Sequence, residues 1–281
     1  MNRLPTIMIE PAVRAALLED LGRAGDITTD AIARSDLPTT TALVARQSGV
    51  VAGLDVAALA FRLIDPAIVL TEQRPDGARV APGETIALVD GPARGILTAE
   101  RVALNFLSRL SGVASATASL VAAVAGTHAR IVCTRKTTPL LRAMEKYAVR
   151  AGGGANHRFG LDDAALIKDN HIAIAGGVAA AIERVRAHVG HLVKIEVEVD
   201  TLGQLEEALG VGVDAALLDN MSLEDLRRAV AMIAGRAISE ASGRVTGETA
   251  PAIAATGVDL ISVGWLTHSA PILDIGLDYR G

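Results

Sequence analysis

The stretch that decides the fold runs from Ile195 to Ile233: IEVEVDTLGQLEEALGVGVDAALLDNMSLEDLRRAVAMI. Its first five residues alternate β-branched and acidic side chains and predict a strand over Ile195–Val199. Leu202 to Leu209 has helical spacing, Ala215 to Leu218 is a second short apolar run, and Leu223 to Ile233 is a second helical stretch. Strand, helix, strand, helix at this spacing is the pattern of βα units carrying a parallel sheet. The rhythm extends in both directions. Apolar runs recur at Ile131–Cys133, Ala164–Ile167, Ala237–Ile238 and Leu260–Val263, with helical stretches at Leu140–Arg150, Val178–Val189 and Thr249–Ala255 between them.

Nearly every run ends in polar residues or glycine. Thr134-Arg135-Lys136 follows the first, Lys168-Asp169-Asn170-His171 the second, and Asp219-Asn220 the fourth. The third carries Glu196, Glu198 and Asp200. The fifth leads to Ser239-Glu240-Ala241-Ser242-Gly243 and the sixth to Gly264. An open doubly wound sheet concentrates such residues at one switch point, whereas a barrel collects them from many strand ends on one rim. The reading is therefore a barrel with six clear strands, incomplete or with one strand still unassigned.

The part before the barrel reads differently. A short helix is predicted over Pro11–Leu21, a strand over Thr40–Ala45, a helix over Leu54–Ile64, and strands over Ile68–Thr71 and Glu84–Val89. Asp76-Gly77, Pro82-Gly83 and Asp90-Gly91-Pro92 mark turns. The predicted result is an α+β domain with an antiparallel sheet. Thr98–Ala125 is a long helical stretch, with a break expected at Gly112, and bridges the two domains.

Composition excludes several classes. The net charge is −5, aromatic residues are 2% and half the chain is apolar, so there is no basic footprint for nucleic acid. The lone Cys133 excludes an internal disulfide and reads as a small buried hydrophobe. No signal peptide, and no uninterrupted apolar run of ~18 residues, is visible, so a cytoplasmic protein without a membrane span is expected. P-loop, Rossmann and HExxH motifs are absent.

Between Arg135 and His171 stand seven lysines or arginines against four acids. Arg142, Lys146 and Arg150 repeat at helical spacing and are equally well a solvated face. Arg135, Lys136, His157, Arg158 and Lys168 instead lie at strand ends or beside Gly152-Gly153-Gly154, with Thr138 and Pro139 expected to start a helix. Cations converging on one rim need an anion, and arginine grips carboxylates and phosphates as a planar fork. Glu198 and Asp219 end consecutive strands. They suit a hard cation such as Mg²⁺, sugar hydroxyls or a developing sugar cation, or else they pair with Lys168 or Lys194. Ser242, Gly243 and Gly264 follow the last two strands, where βα barrels hold phosphate on backbone N–H groups.

At these residues the chain resembles the quinolinate phosphoribosyltransferase family. The matching text is TRKTTP (134–139), EKYAV (145–149), GGG with NHR (152–158), LDD leading to IKDNH (161–171), EVE (196–198), LDNM (218–221), SG (242–243), and SVG with LTH (262–268). Glu19-Asp20, GDITT (25–29), Glu100-Arg101 and Leu104-Asn105 also match. The resemblance implies an N-terminal α+β open-faced sandwich domain (1–112, with 269–281 returning to it) and an incomplete, seven-stranded-type α/β barrel (113–268). It implies phosphoribosyl transfer from phosphoribosyl pyrophosphate to quinolinate with decarboxylation, giving nicotinate mononucleotide for NAD synthesis. Arg135, His157, Arg158 and Lys168 match residues around the quinolinate carboxylates. Lys136, Glu198, Asp219, Ser242, Gly243 and Gly264 match the phosphoribosyl pyrophosphate and Mg²⁺ side, with Glu198 and Asp219 as the metal ligands and Lys136, Lys168, Glu198 and Asp219 as the catalytic set. A homodimer or larger assembly is implied, with Arg101 reaching the neighbouring subunit's site. Three positions depart from the pattern: Leu140 where glycine is expected, Arg244 where a small or amide residue is usual, and Trp265 where alanine is usual. A molybdenum-transport-associated relative of the same fold, a nicotinate phosphoribosyltransferase and a non-catalytic binding protein are the alternatives.

Overall fold

In a computed structural model, residues 3–34 and 37–280 are described. The chain divides into two compact units: Met1–Ala118 with Thr137–Gly153 and Leu266–Gly281, and Ser119–Lys136 with Gly154–Trp265.

The first unit is built on a four-stranded antiparallel sheet in the order Ile275–Tyr279, Pro38–Ala45, Thr85–Pro92, Val69–Glu72. Threonine, valine and leucine make Pro38–Ala45 a good strand. The C-terminal strand Ile275–Tyr279 lies beside it, Thr41 opposite Tyr279. Helix Leu54–Ile64 opens after Gly53, whose left-handed backbone (φ 103°) turns the chain into it. The Asp76 carboxylate caps that start from a distance, accepting from the N–H groups of Gly53 (3.1 Å) and Leu54 (3.3 Å). Asp76 also accepts from the Tyr147 hydroxyl at 2.6 Å.

Several boundaries differ from the sequence reading. The first helix is Thr6–Leu21, with Pro11 inside it rather than in its first turn. The Ile7 carbonyl that Pro11 cannot serve belongs to an exposed residue, so water can satisfy it. Gly91-Pro92 is not a turn but the end of strand Thr85–Pro92, paired with Pro38-Thr39. The long helix begins at Ala93 and runs unbroken to Ala123. Gly112 is glycine for closeness, because a Cβ there would strike the Pro271 carbonyl oxygen. The serines beside it tie the helix to the segment Val50–Ala52: Ser111 Oγ accepts from Ala52 N–H at 3.0 Å, and Ser115 Oγ from Val50 N–H at 2.8 Å. This helix has the length and apolarity of a membrane span, and 56% of its most apolar window is buried inside the protein. A polar-anchored, packed helix of this kind is a core element.

The second unit is a six-stranded parallel sheet: Arg130–Val132, Leu260–Ser262, Ile238–Ser242, Ala215–Asp219, Ile195–Val199, Ala165–Ile167. A seventh segment was invisible in the sequence: Ala155 forms a parallel bridge with Val132 at the sheet's outer edge. Ten residues later the chain enters Ala165–Ile167 at the opposite edge. This matches the seven-stranded, incomplete barrel. Ser242 ends the strand Ile238–Ser242 rather than following one. Side-chain caps set the βα turns: Thr201 and Gln204 form a capping box ahead of Leu202–Val211, and Ser222 Oγ accepts from Asp225 N–H at 3.1 Å ahead of Leu223–Ile233.

Strand pairing sorts the side chains. Glu198 and Glu240 both stand opposite Leu217, and Asp219 stands opposite Ser242. With a period of two, Glu196, Glu198, Leu217, Asp219, Glu240 and Ser242 share one face. Val197, Val199, Ala216, Leu218 and Ala241, all buried, share the other. The apolar face needs helices and the polar face does not, so the carboxylates line the barrel interior.

Gly112→Val is expected to cost about 1–3 kcal/mol through overpacking against Pro271, read as a lower urea midpoint with an unchanged slope. A wild-type midpoint would mean that the close approach is not a constraint.

Candidate active site

Most of the candidate site residues lie at or just after the C-terminal ends of the barrel strands, and local bonds aim several of them. After Arg130–Val132, Thr134 Oγ1 accepts from the Lys136 N–H at 3.0 Å, forming the turn that carries Arg135 and Lys136. The buried Cys133 donates its thiol hydrogen to Asn156 Oδ1 (3.4 Å), tying this strand to the segment that carries His157 and Arg158.

Arg158 is the focus of the cationic side. Its Nη1 donates to the Ala164 carbonyl at 3.1 Å, while its buried Nε has no hydrogen-bond partner. Burial, and then the charge of Arg135, lower its proton affinity, while Asp163 and Glu196 oppose them. Asp163 anchors the loop by accepting from the N–H groups of Phe159 (2.6 Å) and Gly160 (2.9 Å). A partly desolvated guanidinium beside a second one is costly unless an anion joins them.

His157 stands behind Arg158. Its Nδ1 accepts from the Arg158 N–H at 2.8 Å, so its proton is on Nε2, which points at Glu196 Oε2 (2.8 Å) and Glu240 Oε1 (3.6 Å). Burial, and then the neighbouring Glu196 charge, push the Glu240 carboxyl well above the usual carboxylate range.

Lys168 follows Ala165–Ile167 and pairs with Glu198 at 3.1 Å. Its backbone N–H donates to His171 Nδ1 at 2.9 Å, which gives the Lys-Asp-Asn-His run its local purpose: it opens the helix Asp169–Ala175 and points the lysine at the rim. Glu198 thus has the lysine partner that was one of the two readings of it. Lys194 pairs with Asp214 instead (2.5 Å). Asp219 accepts from the Asn220 amide at 2.6 Å. Next to it lies a cleft of about 340 Å³ lined by Asp200, Asn220 and Ser222.

Ser242 and Gly243 stand beside Asp219-Asn220. Gly243 has φ 112° and lies so close to Asn220 that a Cβ would overlap its side chain. Arg244 follows in the left-handed region (φ 46°) with its side chain exposed. Trp265, next to Gly264, donates its indole N–H to the Val245 carbonyl at 2.9 Å. Two of the three sequence departures therefore meet, with Trp265 bracing the loop that contains Arg244.

Arg135, Lys136, His157, Arg158, Lys168, Glu198, Asp219, Ser242, Gly243 and Gly264 all belong to the barrel unit, where Lys168 meets Glu198 and Gly243 lies against Asn220 beside Asp219. Arg101 belongs to the first unit, where it lines a cleft of about 250 Å³ with Asp20, Asp26 and Thr98. Thr138 and Pro139 do not start a helix. Arg142–Ala151 is the helix, and Thr138 is held by Glu145, which takes its N–H (2.9 Å) and hydroxyl (2.7 Å) as well as Arg109 (2.8 Å). Gly152 serves packing rather than ligand contact, because a Cβ there would meet the Ala114 carbonyl of the long helix. Glu196 and Glu240 escaped the sequence reading as site residues. Their signal was parity: each lies an even number of residues from a selected one, Glu198 or Ser242.

Residues 26–111 match the family model for the N-terminal domain of quinolinate phosphoribosyl transferase, and residues 113–278 match that for its C-terminal domain. A probable nicotinate-nucleotide pyrophosphorylase [carboxylating] of Bacillus subtilis is 43% identical, over 93% of this chain and 90% of its own. The Mycobacterium leprae nicotinate-nucleotide pyrophosphorylase [carboxylating] is 47% identical, with 95% of each chain covered. The crystal structure of NadC from Streptococcus pyogenes superposes with a TM-score of 0.95 at 43% identity over all of both chains. Human nicotinic acid phosphoribosyltransferase, 13% identical with a TM-score of 0.64, shares the fold alone. The family models place this two-domain chain in the phosphoribosyltransferase class. The chain is a member of the quinolinate phosphoribosyltransferase family.

Leu140, where the family resemblance called for glycine, has φ 67° and is 93% exposed. A left-handed leucine is strained by roughly 1–2 kcal/mol. Leu140→Gly is therefore expected to raise stability by about 0.5–1 kcal/mol once the glycine's greater unfolded-state entropy is subtracted. A destabilised Leu140→Gly variant in equilibrium denaturation would contradict this.

Proposed function

We propose that the chain transfers the phosphoribosyl group of phosphoribosyl pyrophosphate to quinolinate and releases pyrophosphate and CO₂, forming nicotinate mononucleotide. The observation that carries this reading is Arg158: a guanidinium with an unpartnered buried Nε, pressed by Arg135, in a barrel whose facing strands carry Glu198 and Asp219. A diacid answers the arginines and a ribose ring answers the acids.

The quinolinate carboxylates lie against Arg135, Arg158 and Lys168, with His157 beside them, so the ring nitrogen faces the sugar. Lys136, the Ser242-Gly243 turn and Gly264 receive phosphate oxygens. The nitrogen lone pair attacks the anomeric carbon as the carbon–oxygen bond to pyrophosphate breaks. Glu198 and Asp219 stabilise the electron-poor sugar carbon, and Lys136 and Lys168 balance the departing charge. The ring nitrogen is then cationic, and its charge stabilises the electron pair left on ring carbon 2 as the bond to the 2-carboxylate breaks. CO₂ departs and a solvent proton takes its place on the ring. Positioning and electrostatics do the work, with no covalent nucleophile.

Glu198 and Asp219 fit Mg²⁺ by donor chemistry, since they offer oxygen ligands from one face of neighbouring strands. Bound there, Mg²⁺ supplies positive charge to the pyrophosphate group. The proposed assembly is a homodimer or larger, with Arg101 completing the neighbouring subunit's site, and the proposed location is the cytoplasm. Neither a molybdenum-transport role nor nicotinate phosphoribosyltransferase activity is favoured, because the relatives that match at 43% and 47% identity are named as carboxylating enzymes.

Purified protein with Mg²⁺, phosphoribosyl pyrophosphate and carboxyl-labelled quinolinate is expected to release labelled CO₂. Activity with nicotinate and none with quinolinate would refute the assignment. Arg158→Ala should lower kcat/KM for quinolinate about 10- to 150-fold, the worth of one charge-assisted bond at ~1.5–3 kcal/mol. Arg101→Ala should be inactive alone and partly restored on mixing with Lys168→Ala, and a mixture that stays inactive would rule out a shared site.

A further inference from the structure

Glu240 is a deeply buried carboxyl group in the barrel to which the proposed reaction assigns nothing. Its side chain is 1% exposed and its Oε1 has no hydrogen-bond partner. The groups facing it are Glu196 from Ile195–Val199, His157 from the segment after Ala155, and the Ser262 hydroxyl from Leu260–Ser262. From Ala215–Asp219 it meets the apolar Leu217. The Nδ1 of His157 accepts from the Arg158 N–H, so its Nε2 faces Glu196 at 2.8 Å, with Glu240 Oε1 behind at 3.6 Å. Glu240 therefore packs against the imidazole from the core side, at the base of the segment that carries Arg158.

We propose that Glu240 is a positioning residue: wedged behind Glu196 and His157, it holds the imidazole with Nε2 toward Glu196 and so keeps the Arg158 main chain in place for the diacid. The sequence of contacts runs from the core to the substrate side: Glu240 to the His157 ring, His157 Nδ1 to the Arg158 N–H, and the Arg158 guanidinium to the anion. The last step rests on the proposed quinolinate reading, and the first two do not.

A pair of variants separates this role from simple packing. Glu240→Gln is a near-isostere and is expected to keep the quinolinate KM within about twofold of wild type, because the shape of the wedge is preserved. Glu240→Ala removes the wedge and is expected to raise the quinolinate KM about tenfold, with the KM for phosphoribosyl pyrophosphate unchanged, as loss of one substrate's positioning requires. Independently, ¹⁵N NMR of the imidazole is expected to show a neutral Nε2–H His157 in wild type and Glu240→Gln, and a mixture of tautomers in Glu240→Ala. The NMR readout needs no substrate, so it judges the inference even if quinolinate is not turned over, and the Gln variant carries the test if the Ala variant does not fold. A large loss in Glu240→Gln would show that the carboxylate charge itself is needed and overturn the inference. So would equal KM increases for both substrates in Glu240→Ala. His157, Glu196 and Glu240 also bring their ligand atoms within 4.8 Å of one another. Stoichiometric zinc in the purified wild-type protein, lost in Glu240→Gln, would assign the cluster to a metal and overturn the inference as well.

Discussion

Everything in the site depends on two guanidinium groups being held where they repel each other. Arg135 and Arg158 come from segments on either side of one short parallel bridge, Val132 with Ala155. Neither segment can retreat without breaking backbone hydrogen bonds such as Ala155 N–H to Ile131 O (2.9 Å). Burial removes much of the water that would screen Arg158, and the protein leaves one of its nitrogens unanswered. The fold thus supplies the cost of concentrating positive charge, and an anionic substrate recovers it on binding.

The acids are placed by a different constraint. In a parallel barrel the outward face of each strand must be apolar to receive helices, so polar chemistry is forced onto the inward face at alternate residues. Ile195–Val199 follows this rule strictly, with valines out and glutamates in. The two glutamates differ in depth. Glu198 reaches the rim and pairs with Lys168, whereas Glu196 sits lower and meets a histidine and a second acid. One alternating strand therefore supplies both a candidate ligand for metal or sugar and part of the support for the diacid pocket.

Much of this was legible in the sequence, and the parts that were not share a cause. The βα rhythm, the polar strand ends and the N-terminal antiparallel sheet follow from local periodicity, which a single sequence displays. Gly112 and Gly152 look like helix breakers or loop residues, yet their role is set by the Pro271 and Ala114 carbonyls far away in the chain. Ala155 contributes a single bridge with no apolar run around it, so no periodicity announces it. Glu240 lies inside a strand that the sequence reading ended at Ile238 and the structure carries on to Ser242, and its importance comes from His157 and Glu196, which no spacing connects. Leu140 is the reverse case: the resemblance marked the position for glycine, and its left-handed backbone gives the physical reason.

The most direct test of the central claim is a structure of the protein with quinolinate bound. The account expects the two ring carboxylates to lie at the Arg135 and Arg158 guanidinium groups and Lys168, with Arg158 Nε at last within hydrogen-bond distance of an oxygen, and with the ring nitrogen facing the Glu198 and Asp219 side. Quinolinate bound elsewhere, with Arg158 Nε still unpartnered, would contradict it.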